Sequence, residues 1–154
     1  MKYYIYASKL DLNFKATVMR IIAGMGREID LSPAERRSAA DFTIRLVPRV
    51  YLDNFHTKKE FYPASGKEIR FSFTVDDTRI YIDGTNWKQG VPESGLSRTA
   101  YRTYVIQHEV GHALGHRHKK CNWVTATGRK CPVMYQMTRG PPIGFHGVDL
   151  KGAY

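Results

Sequence analysis

The chain has 154 residues, 42% of them hydrophobic and 25% charged, with a formal net charge of +10. That length suggests one domain over the whole chain, able to bury a core without disulfide staples. No run approaches the roughly 18 apolar residues of a membrane span, and Met1 to Lys9 lacks the apolar stretch of a signal peptide, so the expectation is a cytoplasmic protein or one released by a non-classical route, unless the sequence starts after a removed signal.

Tyr3 to Ala7 reads as a short strand, rich in aromatic and β-branched residues. Asp11 offers an N-cap, and Phe14, Val18, Ile21, Ile22 and Met25 follow at the spacing of one helix face, ended by Gly24 and Gly26. Phe42 to Val47 alternates as a strand does and is closed by Pro48. Residues 48 to 67 read as a long loop with a short strand near Tyr51. Ile69 to Val75, the Asp76-Asp77 turn and Ile80 to Ile82 read as an antiparallel hairpin. Gly84 to Gly95 looks like loop, after which Ser97 caps a helix running to about Leu114. The rest shows no period. The fold class expected is α+β, with α/β-like order, a small twisted mixed sheet, an N-terminal helix, a second helix bearing the chemistry, and an irregular C-terminal part.

Residues 108 to 118 read His-Glu-Val-Gly-His-Ala-Leu-Gly-His-Arg-His. They satisfy every fixed position of H-E-x-x-H-x-x-G-x-x-H. His108 and His112, four apart, share a helix face, so two imidazole nitrogens can meet one zinc ion. On a continuing helix His118 lies about 15 Å along the axis from His108 and points away. Gly115 is the residue that can turn the chain back, because glycine takes positive φ at little cost. Ile106, Val110, Ala113 and Leu114 form the opposite arc and should face the core. Gly111, between the two ligands, allows close backbone approach. Three protein ligands leave a fourth position for water, the pattern of a catalytic zinc, and Glu109 is placed as general base. His116 reads as a bystander, and His56 and His146 as surface or supporting residues.

With this motif, and with Cys131-Pro132-Val133-Met134-Tyr135-Gln136 after it, the chain resembles a metzincin-type zinc metallopeptidase. Met134 stands where such proteins carry the methionine of the turn beneath the metal. Tyr101 to Gln107 leading into the motif, together with Pro132-Val133-Met134, most resembles a little-characterised actinobacterial family of metzincin-like proteins. The resemblance implies a zincin-like domain and an endopeptidase that binds extended peptide along an edge strand, for which Ile69 to Val75 is the candidate. Archaeal-type members start a second zinc site with a cysteine directly after the third histidine. Here Lys119 stands there, so one zinc per chain is expected. Astacin-like members carry a tyrosine two residues after the methionine. Here that place is Gln136, with Tyr135 one residue earlier, so a tyrosine donor to the metal is not expected.

Cys121 and Cys131 bracket the segment between His118 and Met134. A disulfide there pins the third ligand's loop to the methionine turn, whereas reduced thiols are expected in a cytosol. From Val110 to Val148 there is no acidic residue, while Arg117, Lys119, Lys120, Arg129, Lys130 and Arg139 all fall in that span. A cationic rim is therefore expected, with preference for acidic peptide or protein substrates or nonspecific contact with a polyanion. The competing reading is a zinc-stabilised basic binding module, for nucleic acid or another polyanion, without catalysis.

Overall fold

The computed structural model describes residues 1–26, 28–55, 60, 61, 66, 69–150 and 154. Strand β1 (Lys2–Ile5) turns Tyr3 and Ile5 inward. The amphipathic stretch after it forms α1 (Phe14–Ala23), which buries Phe14, Val18, Ile21 and Ile22. Asp11 is not its N-cap. Asn13 holds that position, and the Asp11 carboxylate instead accepts from Asn13 N and from Trp87 Nε1. The helix ends at Gly24, so Met25 lies beyond it.

A two-residue β2 (Ser32–Pro33) and then β3 (Phe42–Val47) lie on either side of β1, both parallel to it. After Pro48 the chain makes a 3-10 turn over Arg49–Asn54 where a strand near Tyr51 was expected. That turn has a packing role. Leu52 joins Val47, Phe73 and Tyr81 in a small cluster, with Tyr51 and Phe55 against it. Ile80 and Ile82 belong to the main core while Tyr81 belongs to this cluster, so the turn covers the opposite face of the sheet. Much of the rest of the expected loop, with His56, lies outside the described residues.

The expected long strand from Ile69 to Val75 is two strands. β4 (Glu60–Phe61) pairs with β5 (Ile69–Arg70) in a separate ladder. β6 (Phe73–Val75) pairs antiparallel with β7 (Arg79–Asp83). The break falls at Phe71 and Ser72, where the Ser72 hydroxyl accepts from Asp83 N at 2.9 Å and takes the place of a ladder bond. Between the paired Val75 and Arg79 the connection has three residues; Asp76 and Asp77 both take positive φ, 53° and 55°, and Thr78 N closes the turn onto Val75 O. β7 lies parallel to β3, giving a five-stranded mixed sheet in the order β2-β1-β3-β7-β6, with β6 at one edge.

Gly84 to Gly95 is not all loop. Asp83 caps a short helix, α2 (Gly84–Gln89), by accepting from Asn86 N at 2.9 Å. Six residues are too few to show a period, but Trp87 on this helix is buried against Phe14. The long helix α3 (Arg98–Ala113) begins after Ser97, whose hydroxyl accepts from Ala100 N, and crosses the same sheet face as α1. Past it the chain is largely irregular, though β8 (Cys131–Pro132) and β9 (Val148–Asp149) form a parallel pair. The result is an α+β fold with a small mixed sheet. No helix among the described residues is long and apolar enough to cross a membrane.

Candidate metal centre

α3 is buried on most of its circumference. Ile106 and Val110 are fully buried and Ala113 nearly so, as the core-facing arc predicted. A second stripe, Tyr101, Tyr104 and His108, faces the segment 133–138. Tyr101 Oη bonds Thr138 Oγ1, and Tyr104 Oη donates to Tyr135 O and accepts from Met137 N. His108 Nδ1 lies 2.7 Å from Val133 O. A carbonyl only accepts, so Nδ1 carries the proton and Nε2 presents its lone pair. That Nε2 is buried and makes no hydrogen bond. Burial pushes the His108 imidazolium down to about 3, against the opposing effect of the bond to Val133, so the ring is held neutral, the form that ligates metals.

The helix ends as the glycine predicts. Gly115 has φ 92°, Gly115 N bonds His112 O, and His116 N reaches back to Gly111 O. These are the two bonds of a Schellman turn. The turn delivers the His116 carbonyl to His112 Nδ1 at 2.9 Å. His116 thus has more than a bystander's part. Its ring stacks on Tyr154, outside the histidine group, while its backbone fixes the His112 tautomer. The reversed chain brings His118 Nε2 to 3.1 Å from His112 Nε2. One ligand atom from each of His108, His112 and His118 lies within 4.8 Å of the others, an arrangement that could hold a metal ion.

Two ties hold the outer arm. Lys119 N donates to Met134 O at 3.0 Å, and Cys121 and Cys131 form a disulfide. Met134 is fully buried beneath α3. A side chain at Gly111 would bring its Cβ to 2.5 Å from Met134 Sδ and 2.6 Å from the Tyr154 ring, so only glycine lets these groups approach the helix.

Glu109 is 3% exposed. Thr74, on the edge strand β6, donates to Glu109 Oε2 at 2.8 Å. Glu109, His112 and His118 line a cavity of about 190 Å³ with Phe71 to Thr74, Asp77 and Gln136. Gln136 therefore reaches the cavity, whereas the Tyr135 hydroxyl is spent on Gly140 O. The rim is not uniformly cationic. Arg117, Lys119, Lys120, Arg129, Lys130 and Arg139 are exposed, but the hairpin turn brings the exposed Asp77 to the same mouth, beside Arg117 and His118. His146 is exposed and outside the histidine group. Thr74, Asp77 and the Val133 carbonyl escaped sequence reasoning. Only Thr74 left a signal, as a polar residue on the alternate side of an otherwise apolar strand.

Residues 29–141 match the family described as "Protein of unknown function (DUF3152)". The chain belongs to the DUF3152 family. The matched span holds Thr74, Glu109, all three histidines and Met134, while β1 and α1 precede it. No curated protein matches the chain.

Proposed function

We propose that this chain is a zinc metallopeptidase of the metzincin type, with one zinc ion held by His108, His112 and His118. The observation that carries the reading is His108 Nε2, buried without a partner beside two further imidazole nitrogens, with Glu109 lining the cavity that His112 and His118 also line. The donor set fits in kind and, for one pair, in spacing. Tetrahedral zinc with Zn–N bonds of 2.0–2.1 Å sets its nitrogens about 3.3 Å apart; the His112–His118 pair stands at 3.1 Å, and all three ligand atoms lie within 4.8 Å of one another. Imidazole donors favour zinc over magnesium or calcium, which take oxygen ligands.

When bound, zinc with three imidazole ligands lowers the pKa of a coordinated water to about 7 and polarises a carbonyl. The chain's own residues do the rest. Glu109 takes a proton at its carboxylate and returns it to the leaving amine. Thr74, by donating to Oε2, fixes the rotamer of the carboxylate. β6, at the sheet edge, offers backbone groups to an extended peptide, and Thr74 on that strand sets the peptide beside Glu109. Of the longer stretch expected to do this, only Phe73–Val75 lies on the edge.

The test is an unbiased peptide library offered to zinc-loaded protein and to Glu109→Gln, with zinc measured by mass spectrometry in both. One zinc per chain in each, and cleavage by the wild type alone, is the expected result. Zinc bound but no cleavage by either protein moves the balance to the non-catalytic binding module. No zinc bound removes the proposal altogether.

A further inference from the structure

The disulfide-closed loop presents apolar side chains to solvent. Within it Asn122 Oδ1 accepts from Val124 N and Thr125 N. These bonds hold the tip in a defined turn, yet Trp123 is 69% exposed and Val124 91%. The Trp123 ring lies against Phe145 with centroids 4.5 Å apart, and Ile143, two residues before Phe145, is fully exposed. The two segments are joined by backbone bonds from His146 N to Arg129 O and from Cys131 N to Gly147 O. Trp123, Val124 and Ile143 therefore belong to one surface region built on the disulfide.

The cations sit at the base of that region. Lys119 and Lys120 precede Cys121, Arg129 and Lys130 precede Cys131, and all four are exposed. No acidic residue occurs between Val110 and Val148, and the next one, Asp149, lies on β9 opposite Pro132. Exposed tryptophan and aliphatic side chains on a segment flanked by lysine and arginine are what the boundary of an anionic bilayer selects. The apolar groups enter the headgroup layer and the cations meet lipid phosphates. Nucleic acid would use the same cations but gains nothing from an exposed valine and isoleucine.

We propose that this face docks on an anionic phospholipid membrane, with Trp123, Val124 and Ile143 entering the headgroup region. The inference is independent of the hydrolytic reading, since none of these residues lines the histidine cavity. His118 is three residues before Cys121, so docking sets the cavity mouth near the lipid surface.

The chain carries its own reporter. It has two tryptophans, and Trp87 is buried at 1% exposure, so a change in emission reads Trp123. The full chain is mixed with vesicles of phosphatidylcholine alone or with phosphatidylglycerol added. Emission is recorded and bound protein is sedimented. Expected are a blue shift and sedimentation with phosphatidylglycerol vesicles only, weakened by salt, and at least a tenfold loss of partitioning in Val124→Ser/Ile143→Ser, which keeps every charge and both tryptophans. The proposal is overturned by sedimentation without a blue shift, or by partitioning unchanged in the double variant, either of which means adhesion by charge alone. It is also overturned if a short DNA duplex binds wild type and double variant equally and strips both from vesicles.

Discussion

The Thr74 hydroxyl donates to Glu109 Oε2 at 2.8 Å and so ties the edge strand of the sheet to the carboxylate that follows the first histidine. Thr74→Val keeps the β-branched shape and removes the bond. A lost hydrogen bond to a charged group is worth about 1.5–3 kcal/mol. Under the peptidase reading, kcat should fall roughly 10- to 100-fold while bound zinc stays at one per chain. Steady-state kinetics with metal analysis checks this, and unchanged kcat would remove Thr74 from the mechanism.

Gly111 reverses the usual sign of a helix substitution. Alanine in place of glycine within a helix normally stabilises by about 1 kcal/mol. Here a Cβ meets Met134 Sδ at 2.5 Å and the Tyr154 ring at 2.6 Å. Overpacking of that kind costs about 1–3 kcal/mol. Gly111→Ala should therefore lower the denaturant midpoint, and a raised midpoint would show that Met134 and Tyr154 yield freely.

His108 makes the metal-free protein sensitive to acid. Its folded-state pKa is depressed from 6.5 to about 3 by burial. The unfolded chain therefore takes up a proton that the folded chain refuses. The stability is present above pH 6.5 and drains away as pH falls toward 3. Between pH 7 and pH 5 this one group should remove about 2 kcal/mol from chelator-treated protein. Urea melts at the two values measure it, and His108→Asn should flatten the difference.

The disulfide closes a loop with a sequence separation of 10. Closure of that size stabilises by about 2–3 kcal/mol in the chain-entropy account. Cys121→Ser/Cys131→Ser should show that loss in a thermal or denaturant melt. Because Lys119 is tied to Met134 across the same loop, metal affinity should fall with it.

Asp77 and Arg117 share the mouth of the cavity with His118. Asp77→Asn leaves the cations unopposed there. Under the peptidase reading, acidic residues near the cleaved bond should then be favoured more than in the wild type, by about 2- to 5-fold for an exposed pair. A library profile of both proteins decides it.

The long elements were legible because their patterns repeat. α3 runs from its Ser97 cap to the turn at Gly115, and β3 ends at Pro48, as the sequence predicts. Short elements were not. α2 carries one buried tryptophan and no period, and the division of residues 69–75 hangs on a single Ser72 hydroxyl that replaces a ladder bond. That the three histidines would come together, with Glu109 close by, could be read because their spacing decides which helix face and which turn they occupy. Thr74 and Val133 could not, because each acts from a separate segment, one through a common hydroxyl and the other through a carbonyl that every residue possesses.

That separation bears on biosynthesis. All three histidines fall within eleven residues, but the acceptor that sets the tautomer of the first comes 25 positions later, and the Tyr104 contacts come 31 and 33 positions later. A nascent chain that has just released His118 from the ribosome holds every nitrogen of the site and none of the alignment of its inner ring. The alignment of the inner ring is complete only when the segment 133–138 is packed over the tyrosine stripe, so the histidine run on its own does not carry it.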